Sequence, residues 1–167
     1  PSYIEGSLSL LGETGEKMGL NISLAFEITD RNGEEKFEAS LNENLDALEK
    51  YSDSYHVHPT VGMHASFTLS DDSLKKIHNA VSSLDSWGIH IHVSEDIADE
   101  YDAANRGYGS VLERLNQFDL LNQNSLIIHG LHIKETDVNL IGELNAMFVH
   151  NPSSNANNRV GMTPNLN

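Results

Sequence analysis

Gly88-Ile89-His90-Ile91-His92-Val93-Ser94-Glu95 is the stretch on which the fold turns. Apolar residues alternate with histidines. Side chains alternate along a strand, so Ile89, Ile91 and Val93 share one face and His90 and His92 the other. Strict alternation carries Glu95 away from His92. The strand must end near Val93 or Ser94 and bend if Glu95 is to join His92 at the rim. A strand with one polar, half-solvated face is the plainer reading of the same residues.

Two further runs end the same way: Ser125-Leu126-Ile127-Ile128-His129-Gly130 and Ala146-Met147-Phe148-Val149-His150-Asn151-Pro152. Each reads as a buried strand of a parallel sheet. Catalytic side chains of α/β barrels sit at the C-terminal ends of such strands. Three of them in succession, separated by helical segments, point to a catalytic mouth. His64 in Val61-Gly62-Met63-His64-Ala65-Ser66 has the same setting at an earlier strand. Gly130 lets the chain turn sharply after His129. His150 leads into Asn151-Pro152-Ser153-Ser154-Asn155, whose side chains hydrogen-bond their own backbone. That segment reads as a structured loop able to contact substrate. The alternatives are a buried His129 donating to a backbone carbonyl and an ordinary polar turn at His150. His132 reads as a surface side chain. His56 and His58 form a tempting His-x-His. They precede the strand at Val61, at the bottom of a barrel, and are treated as a decoy.

Strand and helix spacing alternate along the rest of the chain. Ile4 to Met18 is an amphipathic helix weakened by Gly6, Gly12 and Gly15. Leu20 to Glu27 alternates as a strand, and Asp30-Arg31-Asn32-Gly33 is a turn. Glu34 to Tyr51 is helical, most firmly from Leu41 to Lys50. The next strand is Val61 to Phe67. Ser70 caps a helix bearing Leu74, Ile77, Ala80 and Val81 at helical spacing, and Gly88 ends it. A helix is expected from about Ile97 to Phe118. Strand Leu126 to Ile128, helix Glu135 to Leu144 and strand Ala146 to Val149 follow. The tail from Asn151 is polar and loop-like. The fold class is therefore α/β with right-handed βαβ units and a parallel sheet. Roughly five strands stand against the eight of a closed barrel.

The chain's 167 residues suit one domain with a real core. Its formal net charge of -15 disfavours nucleic acid as a partner. It has no cysteine, which excludes a disulfide scaffold and a thiolate metal site and is compatible with a reducing cytoplasm. No apolar stretch approaches the ~20 residues of a membrane span, and no signal peptide opens the chain. A cytoplasmic location with no membrane partner is expected. A start at Pro1 without Met suggests an excised piece.

His92-Val93-Ser94-Glu95, Ile128-His129-Gly130-Leu131-His132 and Val149-His150-Asn151-Pro152-Ser153-Ser154-Asn155 together resemble the amidohydrolase superfamily. The resemblance is to its chlorohydrolase and aminohydrolase branch, which includes guanine deaminase and deaminases acting on S-adenosylhomocysteine. Gly62-Met63-His64-Ala65-Ser66-Phe67-Thr68-Leu69-Ser70, Glu27-Ile28-Thr29-Asp30-Arg31 and Asn155-Ala156-Asn157-Asn158-Arg159-Val160-Gly161 look more specifically like SsnA-type aminohydrolases. The resemblance runs over nearly the whole chain.

The resemblance implies a partial (β/α)8 TIM barrel, roughly strands 3 to 7, with strands 1, 2 and 8 missing. It implies one divalent metal, zinc first and iron or manganese as alternatives. His92 would be the fifth-strand ligand and His129 the sixth-strand ligand. Glu95 would be the catalytic acid/base, moving a proton from a metal-activated water to the leaving group. His64, His150 and Asn155 would face the substrate, a small molecule such as a purine-like or other cyclic amidine. No lysine follows Val61 to Phe67, so the one-metal type is favoured over the binuclear type with a carbamylated lysine. The first-strand His-x-His and the eighth-strand aspartate have no counterparts here. The segment alone is therefore expected to bind metal weakly or not at all, to be inactive, and to self-associate through exposed strand edges. Ile127 and Phe148 are expected among the exposed interior positions. Two rivals remain at this stage: a non-catalytic histidine-rich metal-binding module, and a small α/β binding domain whose strand-end histidines are structural.

Overall fold

Strands laid side by side in chain order carry the architecture. In the computed structural model, which describes residues 2–162, β1 (Ile22–Leu24) pairs in parallel with β2 (Val57–Pro59). Beyond Leu24 the chain crosses to β3 (Val61–Ala65), where Ile28 bridges Met63. β3, β4 (Ile89–Val93), β5 (Leu126–His129) and β6 (Met147–Val149) form a parallel sheet in that order. β2 and β3 are two halves of one stave, so the strands trace five staves, as the strand count from sequence requires. The solvent-side layer is α1 (Ser7–Met18), α2 (Glu34–Lys50), α3 (Asp71–Val81), α4 (Ile97–Asn105), α5 (Val111–Gln117) and α6 (Glu135–Leu144).

The break between β2 and β3 has a side-chain cause. Asn44 of α2 is fully buried, and its Oδ1 accepts from the backbone N–H groups of Phe26 and Gly62, each at 3.0 Å. Its Nδ2 donates to the Phe26 carbonyl at 3.0 Å. One amide therefore bridges the first two staves at Phe26 and Gly62, between the backbone bonds from Thr60 N–H to the Leu24 carbonyl and from Ile28 N–H to the Gly62 carbonyl. Gly62 is required there, because a Cβ would lie 2.3 Å from the Phe26 oxygen.

Burial along β4 follows the alternation of its sequence. Ile89, Ile91 and Val93 are buried, and His90 and His92 are partly exposed on the other face. The apolar face joins Ile28, Val61, Met63, Leu74, Ile77, Leu112, Leu115 and Ile127 in the main core.

Five expectations from sequence need correction. The strand at Val61 stops at Ala65 and gives way to a 3-10 turn, Ser66–Thr68, instead of running to Phe67. The single helix expected from Ile97 to Phe118 is two helices, α4 and α5. Gly107, at φ 93°, turns the chain between them, and Ser110 caps α5 by accepting from the Glu113 N–H at 3.0 Å. The tail is not a loop at its start: Pro152–Asn158 forms a helix, α7. Proline at its first position is pre-set for a helical φ, and Arg159 closes it in a left-handed conformation at φ 57°. Ile127 is fully buried, because it lies on the helix-facing side of β5. Phe148 is half-buried against Gly130.

Candidate functional site

Neighbouring strand ends bring four imidazoles together. The ring centroid of His92 lies 6.1 Å from that of His64, 5.4 Å from His129 and 6.3 Å from His90. Register explains the grouping. Val93 stands opposite His129, and Ala65 opposite His92. The register shifts between Met63 and Ala65, so His64 is the extra residue of a bulge. Bulges re-aim side chains, and here the bulged residue faces His92.

Glu95 reaches this group through a bend. Ser94 is left-handed at φ 51°, which breaks the alternation after Val93. Oε2 of Glu95 then lies 3.6 Å from Nε2 of His129, an electrostatic contact longer than a hydrogen bond. His129 is itself at φ 76° and Gly130 at φ 57°. Left-handed backbone at non-glycine residues is costly and needs outside support. The two turns brace each other: the Gly130 N–H donates to the Val93 carbonyl at 2.9 Å and the Leu131 N–H to the Ser94 carbonyl at 3.0 Å.

A buried acid pair on α4 holds the Ser94 bend from below. Asp99 accepts from the Ser94 N–H at 2.9 Å, and the Ser94 hydroxyl donates to Glu100. Asp99 Oδ1 and Glu100 Oε2 have no hydrogen-bond partner among the described residues. Burial pushes the Asp99 carboxyl up to about 6, against the hydrogen bond from Ser94, and the neighbouring Glu100 adds to the rise. A carboxyl raised in the folded state stabilises the fold fully below its unfolded value near 3.9, and this stabilisation is lost as pH climbs through about 6. Asp99→Asn is therefore expected to be more stable than wild type at pH 7, by at most about 3 kcal/mol, and to lose that advantage by about pH 4. Urea midpoints of both proteins at the two pH values measure it. A difference that does not change with pH would refute the assignment.

Burial, then the nearby His129 and His64, drives His92 down to about 4, and Glu95 opposes only weakly. Burial does the same to His90, which also falls to about 4. His92 is thus a neutral imidazole at pH 7, the form that ligates metals. His129 is buried, and its Nδ1 lies 2.8 Å from Oδ1 of Asn155. A ring nitrogen engaged in this way leaves Nε2 as the ligating atom. The imidazole pair therefore fits part of a divalent-metal donor set. Among the described residues, no three His, Cys, Asp or Glu side chains are grouped closely enough to hold a metal ion.

The remaining sequence candidates are placed as follows. His150 is exposed beyond β6 and lines a cavity of about 370 Å³ with Pro152, Asn155, Arg159 and Met162. Asn155 lies on α7 with its side chain buried against His129. His56 and His58 flank Val57 at β2, upstream of the stave end that carries His64, and His56 Nδ1 sits 3.0 Å from Asn21 Oδ1. Neither joins the group of imidazoles. Sequence reasoning missed Asn158, whose Nδ2 donates to Glu95 Oε1 at 3.0 Å. It also missed Asp99 and Glu100. The spacing of Asn155 and Asn158, three apart after a helix-starting proline, was the signal available.

Residues 3–166 match the model of the amidohydrolase family. The 5'-deoxyadenosine deaminase of Methanococcus aeolicus is 27% identical over 165 residues, covering 97% of this chain and 37% of that protein. The chain thus spans little more than a third of the length of such curated relatives. Guanine deaminase from C. acetobutylicum, solved with bound guanine, superposes with a TM-score of 0.84 at 22% identity, covering 98% of this chain and 41% of that one. An adenosine deaminase from Xanthomonas campestris with bound zinc gives a TM-score of 0.82 at 19% identity, covering 94% and 36%.

Proposed function

The chain belongs to the amidohydrolase family, and from that premise we propose that it forms one side of the catalytic mouth of a metal-dependent aminohydrolase. The reaction is hydrolysis of a carbon–nitrogen bond outside a peptide, as in deamination of a purine-like or other cyclic amidine. The observation that carries this reading is the convergence of His92, His129 and Glu95 on adjacent strand ends. The narrower likeness to SsnA-type aminohydrolases rests on the motifs Gly62 to Ser70, Glu27 to Arg31 and Asn155 to Gly161.

In this reading His92 and His129 hold one divalent cation, zinc by analogy with the zinc-bound adenosine deaminase. Further ligands come from outside this chain. When bound, the cation lowers the pKa of a water toward neutrality. Glu95 accepts a proton from the attacking water and returns it to the departing ammonia. His64, re-aimed by its bulge, donates to or accepts from the substrate ring near the reacting carbon. His150 faces the substrate from the cavity beyond β6. The substrate is a small molecule. Among the described residues no helix is long and apolar enough to cross a membrane, and the lack of cysteine accords with a reducing cytoplasm. The outer edge of β6 has no strand partner among the described residues. Unpaired edges recruit strands, so this edge is a seam for further staves or for a second copy.

The complete enzyme is expected to release ammonia from 5'-deoxyadenosine, guanine or a related amidine. Exhaustive chelation should abolish the release, and added zinc should restore it. Ammonia release that survives verified metal removal would sink the metal-dependent reading. Loss of a ring substituent other than an amine, with no ammonia, would replace deamination.

A further inference from the structure

We propose that α7 is a positioning element for the two strand-end groups, with Asn155 fixing the tautomer of His129 and Asn158 fixing the carboxylate of Glu95. The proposal rests on the reading of His129 as a ligand and Glu95 as a proton carrier. It gives both asparagines a task that the reaction needs but that neither performs on the substrate.

Residues three apart share a face of a helix. On α7 that face carries Asn155 and Asn158. Asn155 Oδ1 meets His129 Nδ1 at 2.8 Å, and Asn158 Nδ2 meets Glu95 Oε1 at 3.0 Å. One turn of helix thus touches two groups that arrive from different strands, 26 and 63 residues away. The Asn155 side chain is buried, and its carbonyl oxygen is held against the imidazole.

The chemistry follows from donors and acceptors. A neutral imidazole carries one N–H, and the group facing each nitrogen decides which nitrogen holds it. A carbonyl oxygen at Nδ1 puts the proton there and leaves a lone pair on Nε2. Nε2 is the atom that faces Glu95, at 3.6 Å. An aspartate would fix the same tautomer but would add a negative charge beside Glu95. An asparagine does it as a neutral group. At the other end, the Asn158 amide donates to one carboxylate oxygen of Glu95. The second oxygen is left on the His129 side, where a proton has to be taken up and released. The Glu95 carboxylate is only partly buried, so without this contact it would have more rotational freedom. The opposite orientation of the Asn155 amide, with Nδ2 donating to Nδ1, would force the proton onto Nε2 and block ligation.

The experiment is a long-range 1H–15N correlation spectrum of this chain at alkaline pH. His129 is assigned by the signal lost in His129→Gln. The wild type is expected to show His129 as the Nδ1–H tautomer. Asn155→Asp should keep it, and Asn155→Ala should convert most of it to Nε2–H. An Nε2–H ring in the wild type overturns the proposal with no variant having to fold. An unchanged tautomer in Asn155→Ala overturns it too, and the wild-type and Asn155→Asp spectra decide if Asn155→Ala unfolds. For Asn158, Asn158→Ala in the complete enzyme should lower kcat about tenfold, with KM and metal content unchanged. An unaltered kcat, or a change in KM alone, removes Asn158 from the proposal. Zinc analysis of the complete enzyme tests the underlying reading separately. An Nδ1–H ring in this chain together with a complete enzyme that holds no zinc leaves α7 positioning intact and removes the metal.

Discussion

Glu95→Gln in the complete enzyme is expected to lower kcat by about 10²–10⁴-fold while zinc content stays at the wild-type level. The substitution is chosen because it preserves shape. Glutamine keeps an oxygen that can accept from Asn158 Nδ2, the contact that holds Glu95 Oε1 at 3.0 Å. It changes the other end of the group, which lies 3.6 Å from His129 Nε2. An amide there cannot accept and return a proton. Metal retention separates two roles for the same side chain. His92 and His129 are the proposed ligands, so removing the Glu95 charge should leave the cation in place. Parallel loss of zinc and activity would move Glu95 into the ligand set. Unchanged kcat would end its assignment as acid/base. A drop confined to kcat/KM at low substrate, with kcat intact, would make it a substrate-binding group.

What could be read from sequence depended on whether a residue's neighbours along the chain decide its setting. β4 was legible because alternation at Ile89, His90, Ile91, His92 and Val93 sorts side chains to two faces with no outside help. β5 was legible as a short apolar run closed by Gly130. Even the need for a bend before Glu95 followed from strand geometry, and Ser94 at φ 51° supplies it. Its cause was not legible. Asp99 and Glu100 hold that bend from the first turn of α4, and because acids favour a helix start without any such contact, nothing in the sequence singles them out. α7 was misread for a related reason. Serine and asparagine compete with the helix backbone for hydrogen bonds, which makes such a run look like a loop. Here Asn155 and Asn158 are engaged by His129 and Glu95, so the competition is removed by tertiary contacts. The bulge at His64 is a property of register between two strands, and no single strand's sequence records it.

Arg114→Met is expected to destabilise the fold by about 2–4 kcal/mol, the cost of leaving buried polar groups short of donors. Arg114 comes from α5 and is 0% exposed. Its Nη1 donates to the Ser66 carbonyl at 2.7 Å and to the Ser66 hydroxyl at 2.8 Å. Nη2 donates to the Leu69 carbonyl and to Asp71 Oδ1, each at 2.8 Å, and Nε adds a second contact to Asp71 at 3.1 Å. Tyr108 lies alongside, its ring centroid 5.7 Å from the guanidinium carbon. A planar fork of donors is what this arrangement demands, so lysine is no substitute. Methionine fills the volume but leaves the buried Leu69 carbonyl without a donor and the Ser66 carbonyl with only the Leu69 N–H at 3.2 Å. Asp71 is a smaller part of the cost, because its side chain is 40% exposed and can return to water. Asp71→Asn should therefore lose much less than Arg114→Met, and that ordering distinguishes carbonyl satisfaction from ion pairing as the main contribution. The segment Arg114 ties down runs from Ser66 to Leu69, directly after His64 and Ala65. Loosening it should free the bulge that aims His64 at His92, so His64 signals should broaden in spectra of any Arg114→Met protein that stays folded. Chemical denaturation gives the stability difference. A loss below about 1 kcal/mol, the scale of one ordinary hydrogen bond, would mean that the 66–69 segment is held by its own 3-10 turn and not by Arg114.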